Sequence, residues 1–173
     1  MALDMESEFL KLAKNILSNP QQLYKMMALH EKDMRVSVMG VEGFLIFPSR
    51  FFEEVLSSAK NRREIGRRLG KNFFEGFMEE YSFELENLPE RDVLDVAISL
   101  SRTSGYGDFR VKWGKLKREF FRIEVREGLG DEEFIAGFVE GLMMAVLKAD
   151  KVEEVSIRRE SGVTLLEGRV RRK

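Results

Sequence analysis

The chain has 173 residues, of which 43% are hydrophobic and 14 are phenylalanine, which is enough apolar material for the core of one domain. It contains no cysteine, which excludes disulfides, thiol nucleophiles and thiolate metal sites and fits a reducing compartment. Its 29 basic and 30 acidic residues balance, so the chain has no overall positive field that would attract nucleic acid.

Charged residues make up 34% of the chain, a bias that is common in heat-adapted proteins. The apolar runs are far shorter than the roughly 20 residues that a membrane-spanning helix needs. The acidic N-terminus lacks the basic and then apolar pattern of a signal peptide. We therefore predict a cytoplasmic protein without a membrane span, from a thermophile.

The first 34 residues are predicted to form a helical extension. Apolar residues recur at helical spacing from Asp4 to Ser18, and a second, shorter helix is predicted from Gln21 to about Glu31. The second helix is rich in methionine, which suits adaptable packing. It either caps the core of its own subunit or lies at a partner interface.

Two short strands, Arg35 to Met39 and Gly43 to Phe47, are predicted to form a first hairpin. Pro48 ends the hairpin, and Ser49 can cap a helix that runs toward Ala59. The domain that contains the core is therefore predicted to cover residues 35–173.

The next helix, from about Glu64 to Phe83, is long and carries glycines inside it. Its apolar stripe consists of Ile65, Leu69, Phe73, Phe77 and Tyr81. Gly66 and Gly70 each cost about 1 kcal/mol of helix propensity relative to alanine, so they need a structural reason. The reason is either close contact with another helix, within one subunit or across a two-fold axis, or a local kink.

The middle of the chain predicts a further helix and a second hairpin. Pro89 and Glu90 mark a helix start, with Val93, Val96, Ala97 and Leu100 as its buried face. From Asp108 the apolar residues alternate at period two, and a second strand covers Phe120 to Glu127.

The last helix and hairpin are the best marked elements of the chain. Asp131 caps a helix that reaches Leu147, in which Gly137, Gly141 and Ala145 form a line of small residues. This line is the predicted partner of Gly66 and Gly70. Strands from Val152 to Arg159 and from Val163 to Arg169 then flank the turn Ser161-Gly162.

These elements favour an α+β fold in which an antiparallel sheet of hairpins packs against four or five helices. No alternation of parallel strands and helices is present, and no nucleophile with a base, phosphate loop or dinucleotide motif is found. We therefore predict a protein that is not an enzyme and that holds no cofactor and no metal. Glu64 and Glu75 interrupt the basic cluster around Arg62 and Lys71, which argues against nucleic-acid binding.

Three segments resemble the 4-vinyl reductase domain family. They are Phe44 to Gly76, Gly105 to Val111, and Phe134 to Leu142 with the terminal hairpin. That family is a ligand-binding module, also seen in the sensory domain of phenol-responsive regulators, and its fold is related to core subunits of the TRAPP vesicle-tethering complex. The resemblance implies a homodimer that binds or senses a small hydrophobic or aromatic molecule, or a protein-protein assembly scaffold without a ligand.

The resemblance also implies where a ligand would lie. The inward faces of the long helix and of the last helix, with the middle hairpin beneath them, select Phe73, Phe77, Tyr81, Trp113, Phe138, Leu142 and Met143. Tyr81 and Trp113 alone among these can donate a hydrogen bond to a ligand. The alternative is that the same side chains fill the core. Family members commonly hold cysteines where this chain has Glu132, about Arg158 and about Leu166, so a thiolate zinc site is impossible here.

Overall fold

The computed structural model describes residues 27–30, 35–38, 41–44, 49–81, 85–103, 106–111 and 120–171. The helices are α1 (Ser49–Ser58), α2 (Arg62–Glu80), α3 (Glu90–Thr103) and α4 (Glu132–Val146), and the strands are β1 (Met27–His30), β2 (Arg35–Val38), β3 (Val41–Phe44), β4 (Asp108–Val111), β5 (Phe120–Arg126), β6 (Lys151–Glu160) and β7 (Val163–Arg171). The predicted α+β class is confirmed, with antiparallel strands throughout the described sheets.

A small sheet of order β1-β2-β3 precedes the helices. Its first strand corrects the prediction of a helix from Gln21 to about Glu31 over Met27–His30, because Met27 pairs with Val38 and His30 with Arg35. Methionine, alanine and leucine favour helices locally, but pairing with β2 satisfies the backbone hydrogen bonds of this segment instead. The predicted helix from Asp4 to Ser18 lies outside the described residues, and the domain boundary at residue 34 stays a prediction.

The second sheet has the order β4-β5-β7-β6 and presents one apolar face to the helices. Phe121, Ile123 and Val125 alternate inward along β5, as their period-two spacing predicts, and Leu166 lies on the same face of β7. Ser161 and Gly162 join β6 to β7 with φ angles of 50° and 78°. Two successive positive φ angles are typical of the tight turn predicted for this hairpin.

Helix α4 is the centre of the fold. Every residue from Phe134 to Met143 is buried, because α2 covers one side of α4 and the second sheet covers the other. Asp131 begins the helix as predicted, since its carboxylate accepts a hydrogen bond from the Phe134 N–H at 2.9 Å. Helix α3 packs against α4 and β4 and closes the core.

None of the helices within the described residues is both long enough and apolar enough to cross a membrane.

Candidate functional site

The four glycines of α2 and α4 bring the two helix backbones into direct contact. A Cβ atom at Gly137 would lie 1.9 Å from the Arg63 carbonyl oxygen, and one at Gly141 would lie 1.9 Å from that of Arg67. A Cβ at Gly66 or Gly70 would lie 2.2 or 2.1 Å from a carbonyl oxygen of α4. The contact is therefore within one chain, and the glycines give no argument for a dimer.

A buried ion pair lies along the same contact. Glu140 of α4 is only 4% exposed and accepts hydrogen bonds from Arg63 Nε at 2.8 Å and from Arg67 Nε at 3.1 Å. The hydrogen bonds to Glu140 raise the pKa of the Arg63 guanidinium above its ordinary value. Because two cations surround one buried carboxylate, the pairing fixes the rotation of α4 against α2.

The basic cluster at the start of α2 is neutralised by acidic side chains. Arg62 pairs with Asp131 at 2.7 Å, Arg68 with Glu64 at 2.9 Å, and Lys71 with Glu75 at 3.6 Å. Arg63 and Arg67 pair with Glu140. No cation of this cluster therefore remains without an acidic partner, which argues against a phosphate-binding surface here.

The predicted ligand-binding residues lie in or against the hydrophobic core. Phe73, Phe77, Phe138, Leu142 and Met143 are buried there, and Tyr81 is half-buried at the C-terminal end of α2. The Phe138 ring lies 6.1 Å from that of Phe73. Trp113 lies outside the described residues. A role for these residues in binding a ligand stays a prediction.

Tyr106, which sequence reasoning did not select, joins this aromatic cluster. Its ring stacks on Phe138 with the centroids 4.5 Å apart, and it meets the edge of Phe73 at 5.3 Å. Burial raises the pKa of the Tyr106 hydroxyl. The phenol side chain of Tyr106 thus belongs to the aromatic cluster and has little access to water.

A separate, half-open cleft of about 510 Å³ lies where the first turn of α4 meets the second sheet. Buried side chains of Val125 on β5, Ile135 on α4 and Thr164 on β7 form its floor. Its remaining lining residues are Glu127, Gly128, Gly130, Asp131, Glu132, Glu133, Arg159 and Gly162. The floor of the cleft therefore combines two apolar side chains with one hydroxyl group, and its rim is charged.

Two glycines hold the connection between β5 and α4 close to the helix. A Cβ at Gly128 would lie 2.6 Å from Ile135 Cδ1, and Gly130 has a φ of 79° that suits glycine best. Glu127, before them, has a φ of 50° although it is not glycine. The Gly128 backbone therefore packs closely on Ile135 and Val125 beside the cleft.

Most of the charged side chains at the cleft rim are paired with one another or with α2. Asp131 caps α4 and binds Arg62, Glu133 lies 3.6 Å from Arg63, and Glu132 lies 3.7 Å from Arg159. Glu127 is exposed and forms no ion pair with any described residue.

The three positions where the family resemblance implied cysteines do not form a site together. Glu132 lies at the cleft rim, whereas Leu166 is buried in the core. Within the described residues, no three acidic or histidine side chains are grouped so that they could hold a metal ion. The Glu132–Arg159 ion pair instead links the start of α4 to the terminal hairpin.

Sequence reasoning did not find the cleft. The sequence predicts Thr164 only as one residue of a strand, and Glu127 as the last residue of another. The sequence nevertheless contains one indication of the cleft. The alternation that places Leu166 on the inward face of β7 also places Thr164 there, and a hydroxyl group is unusual on a buried face.

The architecture described above is also found in solved structures of other proteins. A solved structure of the phenol-responsive sensory domain of the transcription activator PoxR, with phenol, superposes on this chain with a TM-score of 0.63 at 9% identity, covering 90% of each chain. A vinyl-4-reductase family protein from Methanocaldococcus jannaschii gives a TM-score of 0.49 at 13% identity over 94% of each chain.

The resemblance predicted from the sequence is thus confirmed as a likeness of fold. No protein-family model matches the chain, and no curated protein matches it. What the chain binds has to be argued from its own residues.

Proposed function

We propose that this protein is a small-molecule-binding or sensing module that takes a hydrophobic or aromatic ligand. The observation that carries the proposal is the cleft between α4 and the second sheet. Its volume of about 510 Å³ lies within the range of roughly 300–1,000 Å³ that is usual for ligand sites. The likeness in fold to a domain described as phenol-responsive supports the same class of function.

The aromatic core around Phe138 is a second proposed location for the ligand. The predicted residues Phe73, Phe77, Phe138, Leu142 and Met143 pack closely there, so a ligand would have to separate rings that now touch. Displacing packed side chains costs free energy that an open cleft does not require. The cleft is therefore the preferred location of the two.

Chemical shift mapping of the labelled protein distinguishes these locations. A panel of phenol, other small aromatics and short fatty acids is titrated while backbone amide signals are followed. A ligand in the cleft should shift the signals of residues 125–135 and 159–164, whereas a ligand in the core should shift those of Phe73, Tyr106 and Phe138. If no compound shifts any signal or raises the thermal midpoint, the binding proposal fails.

The alternative function is that of an assembly scaffold, and one observation favours it. Phe51 and Val55 lie four residues apart on α1 and are 53% and 50% exposed. Neighbouring exposed apolar side chains on one helix face suit a contact between proteins. We propose that this face contributes to a homodimer. The argument for a homodimer thus rests on Phe51 and Val55 and no longer on the glycines of α2 and α4.

Light scattering tests the homodimer. At micromolar concentration the protein should have twice the mass of one chain, and a variant with Phe51→Ser and Val55→Ser should be monomeric. Ser57→Ala on the same helix is the control, because Ser57 is an exposed polar residue. A monomeric native protein would contradict the proposal.

Several broader features remain proposals that follow from the composition. The protein is proposed to be non-enzymatic, without cofactor or metal, cytoplasmic, and from a heat-adapted organism. Nucleic-acid binding is not proposed, because the basic side chains of α2 already pair with acids.

A further inference from the structure

The floor of the cleft contains a buried hydroxyl group that has no hydrogen-bond partner within the described part of the chain. Thr164 is 6% exposed and lines the cleft, and its side chain forms no hydrogen bond with any described residue. Burying a hydroxyl group away from water without a hydrogen bond costs free energy. A polar group of a bound ligand would satisfy it.

The rim above Thr164 contains a carboxylate that is likewise without an ion pair among the described residues. Glu127 has a φ of 50°, a backbone conformation that favours glycine or asparagine. Non-glycine residues held in strained backbone conformations of this kind cluster at binding sites. The Glu127 side chain is thus available to a ligand in the same cleft.

The charge of the cleft is negative. Four acidic residues line it, namely Glu127, Asp131, Glu132 and Glu133, and one basic residue, Arg159, so the lining carries four negative charges and one positive charge, a net charge of −3. Arg62 and Arg63 offset part of this charge, since they pair with Asp131 and Glu133 from α2, but Arg63 lies closer to Glu140 than to Glu133. Glu127 is a lining carboxylate that has no ion pair among the described residues.

From these features we propose that the ligand is a small organic cation. Its protonated amine would lie between the Glu127 carboxylate and the Thr164 hydroxyl group, and its apolar body would rest on Val125 and Ile135. An ammonium group donates up to three hydrogen bonds, which both oxygen acceptors can receive. A metal ion is a poorer match, since no described cluster of three ligating side chains could hold one.

This inference rests on the proposed binding function, so the experiment must separate the two. The probes are benzylamine, benzyl alcohol and benzoate, which share one ring and differ in charge. Calorimetric titration at low salt should give the order benzylamine, then benzyl alcohol, then benzoate. Added salt should weaken only benzylamine binding, because the rim carboxylate is exposed and its attraction is screened.

Two variants and one control complete the test. Glu127→Gln should weaken benzylamine binding by about threefold, as expected for an exposed ion pair. Thr164→Val, which keeps the shape of the side chain, should weaken it by about tenfold, since a buried amine would lose an acceptor. Glu53→Gln on α1 removes an exposed carboxylate that does not line the cleft and should change nothing.

The outcomes are distinct. If benzyl alcohol binds as tightly as benzylamine and Glu127→Gln has no effect, the cation proposal is wrong while the binding function stands. If none of these probes and no compound of the wider panel binds, both proposals fail. Thermal unfolding of each variant shows that a lost affinity is not a lost fold.

Discussion

Replacing Gly137 with alanine should separate the two helices at the centre of the fold. The new Cβ would lie 1.9 Å from the Arg63 carbonyl oxygen and 2.9 Å from the Arg67 backbone nitrogen. An ordinary contact needs about 3.4 Å, so the α2 backbone must move by about 1.5 Å. Backbone atoms cannot rotate away as the end of a flexible side chain can.

The expected cost follows from three contributions. Overpacking a core costs about 1–3 kcal/mol, and the rigid obstacle places Gly137→Ala near the upper value. Helix propensity offsets about 1 kcal/mol of this, because alanine is the better helix former. Moving α2 also stretches the hydrogen bond from Arg63 to buried Glu140, and weakening a hydrogen bond to a charged group costs up to about 1.5–3 kcal/mol. The free energy of unfolding should therefore fall by about 2–4 kcal/mol.

Urea unfolding followed by circular dichroism measures this change, and the thermal midpoint should fall by roughly 4–16 °C for a chain of this length. Gly162→Ala is the control, because a Cβ there meets nothing within 4 Å but must adopt a φ of 78°. It should cost only about 1–2 kcal/mol. A Gly137→Ala variant as stable as the native protein would refute the close contact of α2 with α4.

Three further predictions concern single side chains. Asp131→Ala removes the cap of α4 and should lower the free energy of unfolding by about 1 kcal/mol in urea titrations, and an unchanged value would contradict the cap. Glu140→Gln keeps the shape but removes the charge that Arg63 and Arg67 share, and it should cost about 1–3 kcal/mol by the same measurement, whereas a stabilised variant would show that the pair opposes folding. Tyrosine ionises near pH 10 in an unfolded chain, and burial raises the pKa of Tyr106 in the folded protein, so stability should be unaffected below pH 10 and should fall as the pH rises toward the folded pKa. Tyr106→Phe should flatten this part of the curve, and identical slopes in both proteins would contradict it.

The elements of the second half of the chain could be predicted because their signals are local. Asp131 at the start of α4, and the Ser161-Gly162 turn between two alternating strands, each specify an element through neighbouring residues alone. The strand at Met27–His30 could not be found in this way. Its residues favour a helix locally, and the hydrogen bonds that make it a strand come from β2.

The candidate site was predictable only in part, because burial and cavities depend on details that periodicity does not contain. The stripe positions Phe73, Phe138 and Leu142 were predicted to face inward, and they do. Whether inward rings surround a space or fill it depends on distances of less than 1 Å between side chains from four elements. The glycine pattern of α2 and α4 likewise indicates a close contact but not whether the partner belongs to the same chain.

The positions of the cleft and of the glycine contact together limit how the protein can respond to a ligand. Below the first turn, α4 is held against α2 by backbone contacts and by Glu140, so the helix cannot slide as a unit without losing both. The first turn is held by the backbone as well, since a Cβ at Gly66 would lie 2.2 Å from the Phe134 carbonyl oxygen, and by the surface ion pairs of Asp131 with Arg62 and Glu133 with Arg63. The proposed cation pairs with Glu127, which precedes α4 and forms no ion pair with any described residue, so it does not need the carboxylates that these arginines hold. We therefore expect binding to leave both these ion pairs and the packing of the two helices unchanged.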